Sequence, residues 1–405
     1  MKKYIFLIIT ILILTVFSCQ TSSNRGLEVR GSTEYDPNVL LALSGFGLGI
    51  NIGNTLDAIG TNEWHARETG WGNPPITQGL VQALKGHGFK TIRLPVTWAE
   101  YIGPAPNYQI GDCVFSNCNS CPNRMNRVEQ VVNWILEEDL YCILNLHHDG
   151  GYSDKSWILD MAANEEETLR KFRAVWQQIA LRFRNAPENL ILESMNEVGF
   201  DSIWNRWSGD QSQKPEAYRK LNVLNQAFVS TVRSTGGNNA IRPLLIAGYW
   251  TDIDNSIDSL FVMPNDPANN LIFSAHYYTP PQFAIAEDPD TSWGFRNDWG
   301  SRITIDADME ELIRQFDKLK THFLDKGIPV ILGEYGATKK NKNEAGRIRW
   351  MAAVTQICLD YGICPVLWDT GINPSANNHS GEIERNAPYG MSDNLKRVLA
   401  RLRVE

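Results

Sequence analysis

Asn189-Leu190-Ile191-Leu192-Glu193-Ser194-Met195-Asn196-Glu197 is an apolar run that closes on an amide and a carboxylic acid. It follows a polar turn and precedes the loop-like Val198-Gly199-Phe200-Asp201, so it reads as a buried parallel strand delivering polar groups to an open rim. Pro329-Val330-Ile331-Leu332-Gly333-Glu334-Tyr335-Gly336 repeats the arrangement, and its glycines let another molecule approach closely. Either glutamate alone could cap a loop or pair with an arginine. Two carboxylates at the same ends of two parallel strands suggest acid/base chemistry.

Outward from these strands, the chain from Ser44 repeats one theme: short apolar strand, polar or aromatic loop, amphipathic helix. Strands are expected near Phe46–Asn51, Thr91–Leu94, Tyr141–Leu146, Asn189–Met195, Pro243–Ala247, Leu271–Ala275, Pro329–Leu332 and Cys364–Leu367. Helices are expected at Thr77–His87, Arg124–Glu138, Asn164–Arg184, Glu216–Ser234, Asp306–Lys326, Glu344–Tyr361 and Asn394–Arg403, with a weak one around Ser256–Phe261. Eight alternating units predict an α/β fold, a (β/α)8 TIM barrel with enlarged loops at its C-terminal face. A doubly wound open sheet fits worse, because Asn51-Ile52-Gly53-Asn54-Thr55 lacks the spacing of a phosphate-binding glycine loop.

The 405 residues carry a net charge of -8, which argues against a nucleic-acid partner. Lys2 and Lys3 precede an apolar run, Tyr4 to Phe17, too short to span a bilayer comfortably; this reads as an export signal. It closes on Val16-Phe17-Ser18-Cys19, which resembles the lipobox of bacterial lipoproteins, with a bulky Phe where a small residue is usual. Residues 1–19 are therefore expected to be a lipoprotein-type signal ending at a lipid-anchored Cys19, 20–34 a flexible tether, and 35–405 the barrel domain. The expected location is the cell envelope, with membrane contact only through the anchor, and a monomer is expected. Of the other six cysteines, Cys113, Cys118 and Cys121 share one Asn/Ser/Pro-rich loop, Cys142 sits in a strand, and Cys358 and Cys364 flank the start of another. A loop staple is the expectation, with pairing left open. A zinc site lacks a fourth ligand at finger spacing.

In a barrel of this kind the active site lies at the carboxyl ends of the strands. There stand Asn51, Asn54, Arg93, His147, His148, Asn196, Glu197, Tyr249, Trp250, His276, Tyr278, Glu334 and Trp368. Of thirteen tryptophans, ten (64, 71, 98, 157, 204, 207, 250, 293, 299 and 368) fall in or beside loops that follow strands, and only Trp134, Trp176 and Trp350 lie on helices. Some of the ten merely cover loops. The asymmetry still asks for a partner with flat apolar faces and hydroxyl rims, as pyranose rings have.

Asn51-Ile52-Gly53-Asn54-Thr55-Leu56-Asp57-Ala58, Glu68-Thr69-Gly70-Trp71-Gly72-Asn73-Pro74, Thr91-Ile92-Arg93-Leu94-Pro95-Val96-Thr97-Trp98, Leu144-Asn145-Leu146-His147-His148-Asp149 and Met195-Asn196-Glu197 resemble successive motifs of glycoside hydrolase family five, the cellulase family. The likeness continues through His276-Tyr277-Tyr278, Gly333-Glu334-Tyr335-Gly336 and Leu367-Trp368-Asp369, covering nearly the whole chain after the tether. The first two motifs resemble the branch acting on cellulose-type β-glucans and xyloglucan. Val198 replaces the family's usual Pro after Asn-Glu, and the Cys113–Cys121 loop is not part of the common pattern. The resemblance implies a retaining, cofactor-free glycosidase with acid/base and nucleophile after the fourth and seventh strands, where the count of units independently puts Glu197 and Glu334. It also implies that Arg93 and Tyr278 keep Glu334 ionised and that Asn196 binds the sugar 2-hydroxyl. His147 and His276 would line the pocket, with Trp368 as its floor. Asn51, His148 and Trp250 complete the expected substrate-side set.

Glu193 shares the strand parity of Glu197, but four residues separate them by roughly 13 Å, which sinks Glu193 into the barrel as a structural acid. A metal site at His147, His148, Asp149 and His276 is disfavoured, because adjacent side chains on a strand point opposite ways. Asp57, Asp149 and Asp369 read as either subsite ligands or loop caps, with loop caps preferred. The expected activity is endo-β-1,4-glucanase on soluble β-glucan or xyloglucan. A mannanase or xylanase on the same scaffold is the rival within enzymes, and a non-catalytic surface glycan-binding relative the rival outside them. With no binding module after the barrel, action on crystalline cellulose is not expected.

Overall fold

A computed structural model describes residues 45–60, 68–112, 123–151, 153, 155–200, 210–372 and 380–403. Eight strands, all parallel, close in chain order into a barrel. They are β1 (Gly49–Asn51), β2 (Thr91–Leu94), β3 (Tyr141–Asn145), β4 (Leu190–Glu193), β5 (Leu244–Asp252), β6 (Leu271–Tyr277), β7 (Val330–Tyr335) and β8 (Cys364–Leu367). The helices among the described residues are α1 (Gln78–Gly86), α2 (Arg124–Glu137), α3 (Glu165–Arg182), α4 (Lys214–Ser234), α5 (Ile253–Ser256), α6 (Pro281–Ala284), α7 (Ile305–His322), α8 (Glu344–Tyr361) and α9 (Asp393–Leu399).

Local chemistry explains where the helices begin. Thr77, Asn123, Asn164, Asn343 and Ser392 each accept a backbone N–H from the first turn of α1, α2, α3, α8 and α9, satisfying a donor that has no partner within the helix. Glu165, Glu166 and Glu167 add negative charge at the positive end of α3. Gly362, at φ 72°, ends α8 in the left-handed region that a side chain would strain. The weak helix expected at Ser256–Phe261 lies one turn earlier, as α5. The reason is that β5 runs on to Asp252, whose carboxylate accepts the Asn255 N–H and starts the helix there.

Strand alternation divides the side chains between two cores. Outward-facing Ile92, Leu144, Leu190, Leu192 and Leu332 pack under the helices, with Trp176 on α3 and Trp350 on α8 fully buried among them. Ile143, Ile191, Leu245, Ile272, Ile331, Cys364 and Val366 form a separate apolar plug inside the barrel. The next inward layer, nearer the carboxyl ends, is polar: Asn51, Arg93, Asn145, Glu193 and Ser274, all fully buried. The site is built on this layer. Cys142, Cys358 and Cys364 are buried free thiols, so neither flank of β8 is stapled; Cys19, Cys113, Cys118 and Cys121 lie outside the described residues.

Candidate active site

The polar layer is organised around the Arg93 guanidinium. Its Nε donates to Glu193 at 2.7 Å, Nη1 to Glu334 at 2.7 Å and to Asn51 at 3.0 Å, and Nη2 to Asn196 at 2.7 Å. Asn51 is itself pinned, its amide donating to the Gly333 carbonyl at 3.0 Å and the Leu367 carbonyl at 3.2 Å. This corrects the expected substrate set: Asn51 and Arg93 are both completely buried beneath the rim, where no sugar reaches them. They orient the groups above. Asn196 is held through Oδ1, which leaves its amide nitrogen as the donor end of the side chain.

Glu334 lies at the end of β7, its Oε1 on Arg93 and its Oε2 accepting the Tyr278 hydroxyl at 2.9 Å. Glu197 follows β4 with φ 45°, a left-handed backbone that is uncommon for a non-glycine residue and is held here by the Asn196 N–H on the Leu146 carbonyl. The turn lifts its carboxylate toward the cleft, with 40% of the side chain open. His276 stands between the two acids, Nδ1 at 2.8 Å from Glu197 and 3.6 Å from Glu334. One oxygen of each glutamate and a His276 nitrogen all lie within 4.8 Å of one another. Gly333 makes room for this: a Cβ there would press on Ser274 and on the His276 ring at 3.2 to 3.3 Å.

Electrostatics separate the two acids. Burial raises Glu334 above the usual carboxylate range against the pull of His276 and Arg93. Burial is the largest influence on Glu197 as well and opposes its charge, but the His276 hydrogen bond and the charges of His276, Arg93 and His148 together outweigh it and hold the carboxyl low. Burial pushes the Tyr278 hydroxyl well up, and the neighbouring Glu334 charge adds to this, so it remains a donor.

His147 Nδ1 accepts from Asn145 Nδ2 at 3.2 Å; Asn145 cannot turn over, because its Oδ1 takes the Val96 N–H and its Nδ2 also donates to Glu193. His147 therefore carries its proton on Nε2. Its ring is parallel to Trp368 at 5.7 Å, and edge contacts continue the row to His148 and on to Trp71. His147 and His148 do not diverge as expected, because β3 ends at Asn145 and the alternation ends with it; their rings lie 4.6 Å apart. Both histidines instead offer nitrogens within 4.8 Å of an Asp57 oxygen. A cation at that cluster would have to strip the Nε2 proton from His147 and compete for Asp57, which accepts the Asn54 and Thr55 N–H groups. Asp149 caps Trp98 N–H and Trp157 Nε1, and Asp369 binds Ile383 N–H and pairs with Arg385 at 2.7 Å.

Trp250 lies across Gly199, where a Cβ would collide with the indole. Trp98, Trp157 and Trp299 are buried and cover loops, whereas Trp71, Trp250 and Trp368 are part-exposed and Trp293 is exposed. Trp64, Trp204 and Trp207 lie outside the described residues. Asn145 and Ser274 were missed in the sequence; their signal is inward parity on β3 and β6, shared with the apolar plug residues Ile143 and Ile272.

The description of cellulase, glycosyl hydrolase family 5, matches residues 54–374. The chain belongs to glycoside hydrolase family 5. It is 38% identical over 350 residues to endoglucanase A of Paenibacillus barcinonensis, covering 81% of each. It is 32% identical to the xyloglucan-specific endo-beta-1,4-glucanase of Bacteroides ovatus, over 80% of this chain and 63% of that one. Among solved structures, a family 5 xyloglucanase from Paenibacillus pabuli superposes with a TM-score of 0.75 at 34% identity, covering 88% of this chain and 97% of that one. A broad-specificity endoglucanase from Ruminococcus champanellensis with bound cellotriose gives 0.73 at 35%, covering 87% and 95%.

Proposed function

We infer that this family 5 hydrolase is an endo-β-1,4-glucanase that cleaves internal bonds of soluble β-glucans, xyloglucan included, by double displacement. The observation that carries the mechanism is the approach of Glu197 and Glu334 oxygens within 4.8 Å. Retention needs carboxyl groups about 5 Å apart, whereas inversion leaves about 6.5–9.5 Å for a water. Glu334, charged and aimed by Arg93 and Tyr278, attacks the anomeric carbon while the glycosidic C–O bond breaks. Glu197 gives its proton to the leaving oxygen, then takes one from the water that releases the sugar. A sugar in the cleft covers the open part of Glu197, and the added desolvation favours its protonated form. His276 Nδ1 supports Glu197 when it is charged, in the second step. Trp368, parallel to His147, supplies the flat floor. The substrate reading rests on the relatives, which are endoglucanases and xyloglucanases. The same reading keeps the enzyme at the cell envelope on a lipid carried by Cys19.

The two roles are separated by substrates with different leaving groups. Glu334→Ala should lose turnover on every substrate, activated aryl cellobiosides included, because no glycosyl-enzyme forms. Glu197→Ala should lose polysaccharide cleavage yet still form the intermediate from an aryl cellobioside with an acidic phenol. Azide should then restore turnover and yield a β-glycosyl azide. An α-glycosyl azide from Glu197→Ala would mean single displacement, and the β product from Glu334→Ala would mean reversed roles.

A further inference from the structure

We propose that Glu193 is a positioning residue that shares Arg93 with Glu334 and so sets the basicity and reactivity of the nucleophile; this rests on the assignment of Glu334 above. Arg93 is the cation of the buried layer, and it binds two carboxylates at once, Glu193 through Nε and Glu334 through Nη1, each at 2.7 Å. Glu193 is completely buried, has no path to a sugar, and is itself held by Asn145 Nδ2 at 3.1 Å and Ser274 Oγ at 2.8 Å. Three donors spent on a carboxylate that touches no substrate need a reason.

The reason lies in the charge that moves. When Glu334 bonds to the anomeric carbon its charge is spent, and Arg93 loses an anionic partner. A buried guanidinium left with no counter-ion is costly, so without Glu193 the ion pair would hold Glu334 back from attack. With Glu193 in place, Arg93 stays paired in both the free and the glycosylated states. Burial works against the Arg93 charge, yet Glu193 and then Glu334 hold its pKa above the ordinary value.

The other titratable groups facing Glu334 are Glu197 beyond β4 and His276 and Tyr278 at the end of β6; His147, beyond β3, acts on Arg93 and His276. His147 is held neutral, first by burial and then by the neighbouring His148 and Arg93. Among the described residues, these leave Arg93 as the fixed positive charge on Glu334 and Glu193 as the fixed negative charge on Arg93.

The test is the pH dependence of kcat/KM on a dinitrophenyl cellobioside, whose leaving group needs no proton, so that the acid limb reports the ionisation of Glu334. Glu193→Gln leaves the whole Arg93 charge to Glu334: the acid limb should move down by about one pH unit, and the plateau should fall about tenfold with KM changed less than about twofold. Ser274→Ala removes a donor from Glu193 Oε1 and throws that charge further onto Arg93, so its limb should move the other way, by less. Glu193→Asp keeps the charge and should restore the wild-type limb. Trapping with a 2-fluoro cellobioside and mapping the labelled peptide keeps the two levels apart. Label on Glu334 with unmoved limbs, or limbs that move the same way in Glu193→Gln and Ser274→Ala, overturns the inference alone. Label on another residue overturns the assignment of the nucleophile. If Glu193→Gln does not fold, the direction of the Ser274→Ala limb decides by itself.

Discussion

Trp368 and His147 lie with their planes 3° apart at 5.7 Å, and the indole remains part-exposed at the rim. A side chain in that position contributes through what it stacks on. Trp176 has the same chemistry in another place: fully buried on α3, edge-on to Phe228 at 4.5 Å, with Nε1 donating to the Ser194 carbonyl. Trp368→Ala should therefore lower kcat by at least about tenfold, the loss of roughly 1.4 kcal/mol of stacking in the transition state, with little change in melting temperature. Trp176→Ala should cost about 3–5 kcal/mol of stability and leave the rate of the folded fraction near wild type. Steady-state kinetics beside thermal unfolding checks both, and equal losses of rate with unchanged melting would contradict the assignment. At this scale Glu197, Glu334 and the buried role of Glu193 were legible as strand ends and spacing. Asn51 was misread because a polar residue at a strand end looks alike whether it faces a ligand or a buried arginine.

At the scale of elements, the β5-to-β6 connection shows how a long loop is held. Asp266 takes Nε and Nη2 of Arg233, near the end of α4, at 2.7 and 2.8 Å, and also accepts the Ala268 and Asn270 N–H groups. Both side chains are nearly covered. Burial is the largest influence and would raise the Asp266 carboxyl, but the Arg233 hydrogen bonds, the Asn270 and Ala268 N–H groups and the Arg233 charge together outweigh it and hold it below the usual range. A carboxylate depressed in the folded state contributes stability that is complete above its unfolded value, about 3.9, and is lost as pH falls through the lower folded value. Asp266→Ala should thus cost about 3 kcal/mol at pH 7, and the gap between wild type and variant should narrow as pH drops below about 4. Denaturant unfolding across that range measures it, and a pH-independent gap would show that the ion pair is not its source. The elements themselves were largely legible, since caps and period-2 runs announce them. The extension of β5 to Asp252 was not. Trp250 and Thr251 take φ values of 55° and 49°, which their residue types do not signal.

At the scale of the whole chain, the proposed anchor at Cys19 lies in the sequence before the barrel. If Cys19 carries acyl chains, Cys19→Ser should move the protein from the membrane fraction to the soluble one without changing specific activity, because acyl chains supply membrane affinity that serine cannot. A wild-type protein found wholly in the soluble fraction would show that Cys19 does not anchor it. Within the barrel, the order of strands and the two acids at their ends were determined by sequence alone, because burial on both faces and alternation with helices are written in local residue pattern. The encounter of those acids was decided only by the closed sheet, which brings residues 137 positions apart in the chain, Glu197 and Glu334, to within 4.8 Å. So was the sharing of Arg93. Parity states that Arg93, Glu193 and Asn51 point inward. Only packing in three dimensions decides which of several inward charges meet, since that depends on the tilt and register of strands that are distant in sequence.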